Sequence, residues 1–230
     1  MRVVFMGTPN FALPSLLALL RVPDEYQLVG VITQPDRPAG RGHRLTSPPV
    51  KLLSKQHRIP LLQCEQLRDS AEARKFLEGK APELFVVVAF GQILDEELFS
   101  YPSLGSLNVH ASLLPKYRGA TPIVHALLNG ETETGVSIMK IGQKLDNGDI
   151  LSQKSVSIDQ DITAGELGSV LADVGAELLL NTVPAYSRGE IIPQTQDSNQ
   201  ATYAPKIGKE EAQIQWEAPA EVVHNHVRAL

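Results

Sequence analysis

The chain has little cysteine, few aromatic side chains and no long apolar run. Cys64 is the one cysteine among 230 residues, so no disulfide can form within the chain. No apolar run approaches the ~20 residues that a membrane helix needs. The N-terminal stretch has neither the apolar core nor the cleavage site of a signal peptide. These absences predict a cytoplasmic protein that is not embedded in a membrane.

The chain also lacks an excess of positive charge. Its 21 lysine and arginine residues face 26 aspartate and glutamate residues, which gives a net charge of −5. This balance argues against a generic nucleic-acid-binding chain. The apolar fraction of 43% is ordinary for a globular protein, and the length allows one large domain or one domain with a small appendage.

Strand and helix patterns alternate from the start of the chain. Residues 2–6 predict a strand, residues 11–20 a helix and residues 27–33 a second strand, an order that is typical of a parallel α/β unit. The first turn holds only Gly7, so the G-x-G-x-x-G fingerprint of dinucleotide-binding proteins is missing. We therefore expect an α/β fold with a doubly wound, mostly parallel sheet that binds no dinucleotide.

A continuous apolar run over residues 83–90 predicts a central strand that is buried on both faces. Ligands of such sheets bind beyond the C-terminal ends of the strands. Phe90 ends this run, and Gly91 and Leu94 come after it, so these three are candidate walls of a pocket, although the two apolar ones could equally be core residues. Residues 163–186 carry the longest helical pattern, which we expect to lie across the sheet.

Polar side chains that could support acyl transfer stand at the end of another strand pattern. Alternation along residues 106–110 puts Asn108 and His110 on the same side. An asparagine can donate to a developing oxyanion, and a histidine can move a proton near neutral pH. Asp146, in a glycine-flanked loop, could supply the carboxylate that orients the imidazole. No serine or cysteine stands in a nucleophile motif, so a substrate would be the nucleophile in a direct transfer.

Each of these residues also has a purely structural interpretation. Asn108 could bond to backbone at a strand end, His110 could be a satisfied core histidine, and Asp146 could belong to a simple turn. A metal site is not indicated. The six histidines show no ligand spacing joined to a carboxylate, apart from the pair His224 and His226 near the end.

A basic segment stands out in this acidic chain. Residues 35–45 contain Arg37, Arg41, His43 and Arg44 among glycines and prolines, which predicts an irregular loop. The segment is either a solvated surface loop or a loop that contacts the phosphates of a nucleic acid. No aromatic side chains separate the charges, so base stacking is not expected.

The composition changes from about residue 188. Residues 193–200 are polar and short of core residues, which predicts a linker or an extended surface segment. A helical pattern begins near Pro219 and continues to the last residue. We expect a catalytic domain over residues 1–188, and over residues 189–230 a polar linker with the start of a C-terminal region that continues further.

Several motifs together resemble those of the folate-dependent formyltransferase family. Its members share N-x-H-x-S-L-L-P, which stands here at residues 108–115, and a downstream D-x-G-D, which stands at residues 146–149. Residues 5–11, 34–42 and 118–123 are similar to the members that formylate methionyl-tRNA. Ala111 and Thr121 depart from residues that are common in relatives, but neither departure removes a reacting group.

The resemblance implies a Rossmann-like formyltransferase fold that uses 10-formyltetrahydrofolate as co-substrate and no metal. It assigns catalysis to Asn108, His110 and Asp146. With the pocket argument above, the residues expected to bind folate are Phe90, Gly91, Leu94, Ser112, Leu113, Leu114 and Pro115.

The resemblance also favours the phosphate-contacting interpretation of the basic segment. It implies that Arg37, Arg41, His43 and Arg44 lie against the acceptor stem of initiator methionyl-tRNA. The expected reaction is formyl transfer to the α-amine of the methionine on that tRNA, by a monomer without membrane contact. The alternatives are a small acceptor (glycinamide ribonucleotide, an amino sugar or water) or a catalytically idle tRNA-binding module.

Overall fold

A mostly parallel sheet flanked by helices organises the residues that the computed structural model describes, which are 1–40, 42 and 44–230. The strands are β1 (Arg2–Gly7), β2 (Gln27–Thr33), β3 (Arg37–Ala39), β4 (Arg44–Thr46), β5 (Leu61–Gln63), β6 (Leu84–Val88), β7 (Ser106–His110), β8 (Arg118–Gly119), β9 (Glu133–Lys140), β10 (Ile150–Ser157) and β11 (Tyr203–Ala204). The helices are α1 (Leu13–Leu20), α2 (Pro49–Gln56), α3 (Ala71–Leu77), α4 (Glu96–Phe99), α5 (Pro122–Leu128), α6 (Ala164–Ser187) and α7 (Ala220–Ala229).

The central sheet is doubly wound. Its seven strands stand in the order β10-β9-β7-β6-β1-β2-β5. The five strands from β5 to β7 are parallel, whereas β9 and β10 extend the sheet in antiparallel pairing. The strand order reverses between β1 and β6, so the C-terminal ends of these two strands form the crevice in which such sheets bind ligands. The predicted fold class is confirmed.

Alternating side chains along the central strands build one apolar core on each face of the sheet. Val3 and Phe5 of β1 belong to the larger core, with side chains of α1 and α6, whereas Val4 and Met6 belong to the smaller core with α3. All five residues of β6 are buried, which confirms the prediction of a central strand buried on both faces. Since both faces are apolar here, polar chemistry is left to the strand ends.

The longest helix, α6, packs across β9, β10 and α1, close to where the sequence predicts it. A capping box begins it: the Glu166 N–H donates to Thr163 Oγ1, and Thr163 N–H donates to Glu166 Oε2 at 2.9 Å. Gly175 allows a close approach to the sheet, because a Cβ at this position would lie 2.8 Å from Val109 Cγ1. The helix therefore supports the strand that carries Asn108 and His110.

The basic segment is more regular than the sequence suggests. β3 and β4 pair in antiparallel orientation, with Arg37 opposite Thr46. The prediction of an irregular loop is therefore wrong for these residues, because local cross-strand pairing satisfies the backbone despite the nearby glycines and prolines. Arg41 and His43 lie outside the described residues.

The residues that follow α6 return to the sheet and to the loops above it. Ile150 of β10 and Gln194 exchange two backbone hydrogen bonds of 2.8 Å each. β11 pairs in parallel with β8, and α7 packs against α5. We call residues 194–205 the strap. The domain boundary at residue 188 stays a prediction. Among the described residues, no helix is both long and apolar enough to cross a membrane.

Candidate active site

A cleft of about 1070 Å³ opens over the C-terminal edge of the sheet. Residues after β1, β6 and β7 line it, together with the first turns of α5 and α6 and the loop after β9. The cleft therefore lies at the crevice that the strand order creates, and its volume is slightly above the range that is usual for small-molecule sites.

The turn after β6 forms one wall of the cleft. Two donors fix the Phe90 carbonyl oxygen: Thr8 Oγ1 at 3.0 Å and Gln34 Nε2 at 2.9 Å. Gly91 follows at φ +79°, and a Cβ there would lie 2.5 Å from Gln34 Nε2, so the turn requires glycine. Phe90 and Leu94 line the cleft while most of each side chain is buried in the smaller core, so both interpretations of these residues apply at once.

Asn108 and His110 lie on the same face of β7, and both line the cleft. Asn108 is paired with Val87 on one side and Met139 on the other, whereas Val109 between them belongs to the larger core on the opposite face. Within residues 1–40, 42 and 44–230, the Asn108 side chain forms no hydrogen bond. Its amide is therefore available to a ligand in the cleft.

The His110 ring is oriented by a backbone carbonyl. Its Nε2 lies 2.9 Å from the Tyr117 carbonyl oxygen, and since a carbonyl can only accept, Nε2 carries a proton. Nδ1 faces Asp146 Oδ2 at 3.9 Å, which is too long for a hydrogen bond but close enough for an ion pair. The carboxylate thus faces Nδ1 without bonding to it. Tyr117, which the sequence did not indicate, sets the ring's direction.

Asp146 is held in an uncommon backbone conformation. Its φ of +46° lies in the left-handed region, and its side chain is 14% exposed. Its Oδ2 accepts a hydrogen bond of 2.8 Å from the Gly119 backbone N–H. This contact joins the loop after β9 to the loop of β8, and it aims the same carboxylate oxygen at His110.

Tyr117 is anchored at its other end by polar partners. Its hydroxyl donates to Glu131 Oε1 at 2.7 Å and accepts from Asn129 Nδ2 at 3.0 Å. Burial raises the pKa of Tyr117 to about 12, and the Glu131 carboxylate acts in the same direction. The phenol therefore stays neutral and keeps donating, which stabilises the position of the Tyr117 carbonyl against His110.

Residues 112–115 follow β7 and are not among the residues that line the cleft. Ser112 is fully buried and donates to the Lys116 carbonyl oxygen at 2.6 Å. Ser137, opposite His110 in β9, donates to the Ser112 carbonyl oxygen and accepts from the Leu114 N–H. The segment supports the loop that carries the Tyr117 carbonyl, and its direct contact with folate stays a prediction.

The hairpin of β3 and β4 projects from the C-terminal end of β2, at the same edge of the sheet as the cleft. Its described cations, Arg37 and Arg44, are exposed. Asp36 at its base accepts from Lys51 Nζ at 2.7 Å and from Gln63 Nε2 at 2.8 Å. The hydrogen bond from Lys51 is the largest cause that lowers the pKa of Asp36 to about 2, so this attachment is charged at neutral pH.

Comparison with known proteins decides the family. The family model described as formyl transferase matches residues 1–183, well over half of the chain. The chain belongs to the formyl transferase family.

Two of the most similar relatives come from one subgroup of the formyl transferase family. The methionyl-tRNA formyltransferase of Synechococcus sp. (strain JA-3-3Ab) is 49% identical over 230 residues, which are 100% of this chain and 71% of that protein. The methionyl-tRNA formyltransferase of Halalkalibacterium halodurans is 47% identical over 230 residues, covering 100% of this chain and 72% of that protein. Such identity over the whole chain groups this formyl transferase with the methionyl-tRNA formyltransferases.

Solved formyltransferases share the fold. The N-formyltransferase of Helicobacter canadensis, solved in complex with folinic acid and dTDP-3-aminofucose, matches with a TM-score of 0.73 at 21% identity. The match covers 99% of this chain and 79% of that chain. At this identity the likeness supports the formyl transferase fold alone.

Proposed function

We propose that this enzyme transfers the formyl group of 10-formyltetrahydrofolate to the α-amine of methionine on initiator methionyl-tRNA. The observation that carries the proposal is the convergence of Asn108, His110 and Asp146 on one cleft, at the strand ends where the fold binds ligands. Methionyl-tRNA as acceptor is supported by 47–49% identity to the methionyl-tRNA formyltransferases over the whole chain.

The proposed reaction is a direct transfer through a tetrahedral intermediate. The amine nitrogen attacks the formyl carbon, and the carbonyl electron pair moves onto oxygen. The Asn108 amide, which has no side-chain hydrogen bond among the described residues, donates to this oxyanion. The bond between the carbon and folate N10 then breaks, and N10 takes up one proton while the amine nitrogen loses one.

His110 and Asp146 manage charge during this transfer. The ring holds its Nε2 proton on the Tyr117 carbonyl, so Nδ1 is the nitrogen that can exchange a proton. Nδ1 either carries a proton toward N10 or donates to the oxyanion. Asp146, 3.9 Å away, stabilises the doubly protonated ring through its negative charge.

The two substrates are proposed to reach the cleft from different surfaces. Phe90, Gly91 and Leu94 contact the folate, since they form a wall of the cleft. Arg37 and Arg44 contact the phosphates of the acceptor stem, because they are exposed cations on a hairpin at the same edge of the sheet. Arg41 and His43 are proposed for the same role from the sequence.

The proposal includes a cytoplasmic monomer whose catalytic domain ends near residue 188. The chain spans about 71–72% of the length of the methionyl-tRNA formyltransferases compared above. Residues 189–230 are proposed to begin the connection to a C-terminal region. Within them, the strap already contacts the loop that carries Asp146 and pairs with β8.

The direct test is formyl transfer by the purified chain from 10-formyltetrahydrofolate, with methionyl-tRNA, glycinamide ribonucleotide, an amino sugar nucleotide and water as competing acceptors. We expect formylmethionyl-tRNA as the main product. Formyl transfer to a small acceptor or to water alone would contradict the proposed acceptor. Binding of methionyl-tRNA without formyl transfer to any acceptor would instead support the idle-module alternative.

A further inference from the structure

Gln196 connects the strap to the loop of the candidate site, although it lies outside the residues that the family model matches. The side chain is buried, and both the oxygen and the nitrogen of its amide form hydrogen bonds. Its Oε1 accepts from Nε and Nη2 of Arg118 at 3.0 and 2.8 Å. Its Nε2 donates to the carbonyl oxygens of Asp146 and Gly148 at 2.9 and 2.7 Å.

The chemistry of the partners permits only one orientation of this amide. A guanidinium can only donate, so it must face the amide oxygen, and the two carbonyls can only accept, so they must face the amide nitrogen. Arg118 is 4% exposed, and its side chain forms no ion pair within the described residues. The buried guanidinium therefore fixes Gln196, and Gln196 in turn holds the loop.

The loop that Gln196 holds would not be stable in this form without outside contacts. Asp146 has a φ of +46°, and such conformations persist where the surroundings determine them. Position 148 has room only for glycine, since a Cβ there would overlap the Lys140 carbonyl oxygen. Two hydrogen bonds from one side chain thus fix both ends of the short turn that aims the Asp146 carboxylate.

We infer that Gln196 is a positioning residue for formyl transfer: it holds the Asp146 loop so that the carboxylate faces His110 and accepts from Gly119. Arg118 and Gly119 are adjacent in β8, so Gln196 ties together the two loops that meet at Asp146 Oδ2. The strap strengthens this link, because the Thr202 carbonyl oxygen accepts a hydrogen bond of 2.8 Å from the Arg118 backbone N–H. The inference rests on the proposed function for its catalytic consequence but not for its geometry.

The test uses Gln196→Glu in the full chain. Glutamate keeps the size and can still accept from Arg118, so the fold has a partner for its buried cation. It lacks the two N–H donors, however, and turns an oxygen toward the carbonyls of Asp146 and Gly148. Gln200→Glu is the matched control, because Gln200 is exposed in the same strap.

Hydrogen exchange at the Gly119 amide gives the first readout, since this N–H is bonded to Asp146 Oδ2. We expect faster exchange at Gly119 in Gln196→Glu, and exchange at the wild-type rate in Gln200→Glu. Equal protection in wild type and Gln196→Glu would overturn the inference, whether or not the chain transfers formyl groups.

Kinetics give the second readout. In Gln196→Glu we expect kcat for methionyl-tRNA formylation to fall on the order of 10- to 100-fold, with KM for 10-formyltetrahydrofolate nearly unchanged. Because Gln196 acts through Asp146, the double variant Asp146→Asn/Gln196→Glu should be no slower than Asp146→Asn alone. Multiplying losses in the double variant would overturn the inference.

The outcomes separate this inference from the function on which it rests. An inactive wild-type chain, or an Asp146→Asn variant with full turnover, contradicts the proposed function, and the Gly119 exchange still decides the geometric link. An impaired Asp146→Asn beside a fully active Gln196→Glu contradicts the role of Gln196 alone. The role of Gln196 is also contradicted if the activity of Gln196→Glu falls only in proportion to the fraction of unfolded protein, so that kcat per folded enzyme is unchanged.

Discussion

At the scale of single residues, the histidine of the candidate site is defined by what each of its nitrogens faces. The Tyr117 carbonyl holds the Nε2 proton, and the Asp146 carboxylate lies across from Nδ1. A proton held on one ring nitrogen leaves the other nitrogen to exchange a proton. Asn108, two residues earlier, also lines the cleft from the same face of the strand.

Replacing Asp146 by Asn should remove the charge opposite Nδ1 while keeping an oxygen that can accept from Gly119. We expect kcat for methionyl-tRNA formylation to fall by about 10²- to 10⁴-fold, with little change in KM for the folate. Steady-state kinetics measure both values, and Asp24→Asn, an exposed residue, is the control. Undiminished turnover would show that the carboxylate does not act on His110.

Asn108→Ala tests the proposed oxyanion donor. The loss of one such donor typically costs roughly 10²- to 10³-fold in kcat. Single-turnover measurements with saturating 10-formyltetrahydrofolate isolate the chemical step. Asn199→Ala, which removes an exposed amide from the strap, should leave the rate unchanged. A rate near that of the wild type would mean that another group stabilises the oxygen.

At the scale of elements, α6 approaches the sheet closely enough at Gly175 to leave no room for a larger side chain. A Cβ at Gly175 would lie 2.8 Å from Val109 Cγ1, whereas a Cβ at Gly165 would meet no atom within 4 Å. Gly175→Ala should lower the free energy of unfolding by about 1–3 kcal/mol through overpacking. Gly165→Ala should raise it by about 0.5–1 kcal/mol, since alanine is the better helix former. Urea denaturation measures both, and shifts of the same sign would contradict this packing.

The attachment of the basic hairpin should be insensitive to pH in the physiological range. The pKa of Asp36 is lowered from 3.8 to about 2, chiefly by the hydrogen bond from Lys51. A lowered carboxyl pKa contributes stability that is fully present above the unfolded pKa and is lost as pH falls through the folded value. Proteolysis of the hairpin should therefore stay constant between about pH 5 and 8.

Asp36→Asn should remove the charge from this attachment at every pH. We expect faster cleavage within the hairpin in this variant at neutral pH, because Lys51 loses its ion pair. The exposed carboxylate variant Asp24→Asn is again the control. Equal cleavage rates in wild type and Asp36→Asn would show that other contacts hold the hairpin.

At the scale of the whole molecule, an acidic chain carries two exposed arginines, Arg37 and Arg44, on a hairpin beside the cleft. This distribution lets phosphates approach one edge while the net charge stays at −5. Arg44→Gln should weaken tRNA binding and lower the slope of log affinity against log salt by about 1. Arg21→Gln, at the end of α1 that points away from the cleft, should change neither. Unchanged salt dependence in Arg44→Gln would remove this residue from the tRNA interface.

Much of the fold could be predicted because its signals are local. Apolar runs and alternation place β1, β2, β6 and α6 within a few residues of their observed bounds, since strand and helix periods are visible in short windows. The pairing of β3 with β4 was missed, because glycine and proline mark a turn whether or not the flanking residues pair.

The sequence by itself determined which reactive groups the chain carries: Asn108 and His110 share a strand face because alternation is a property of the backbone. Only the tertiary structure decided how Asp146 and the Tyr117 carbonyl face the two nitrogens of His110. It also decided that Gln196 forms hydrogen bonds with the loop that carries Asp146. Gln196 and Asp146 are 50 residues apart. Contacts over such separations arise from the packing of whole elements, and no local pattern of residue types encodes their distances.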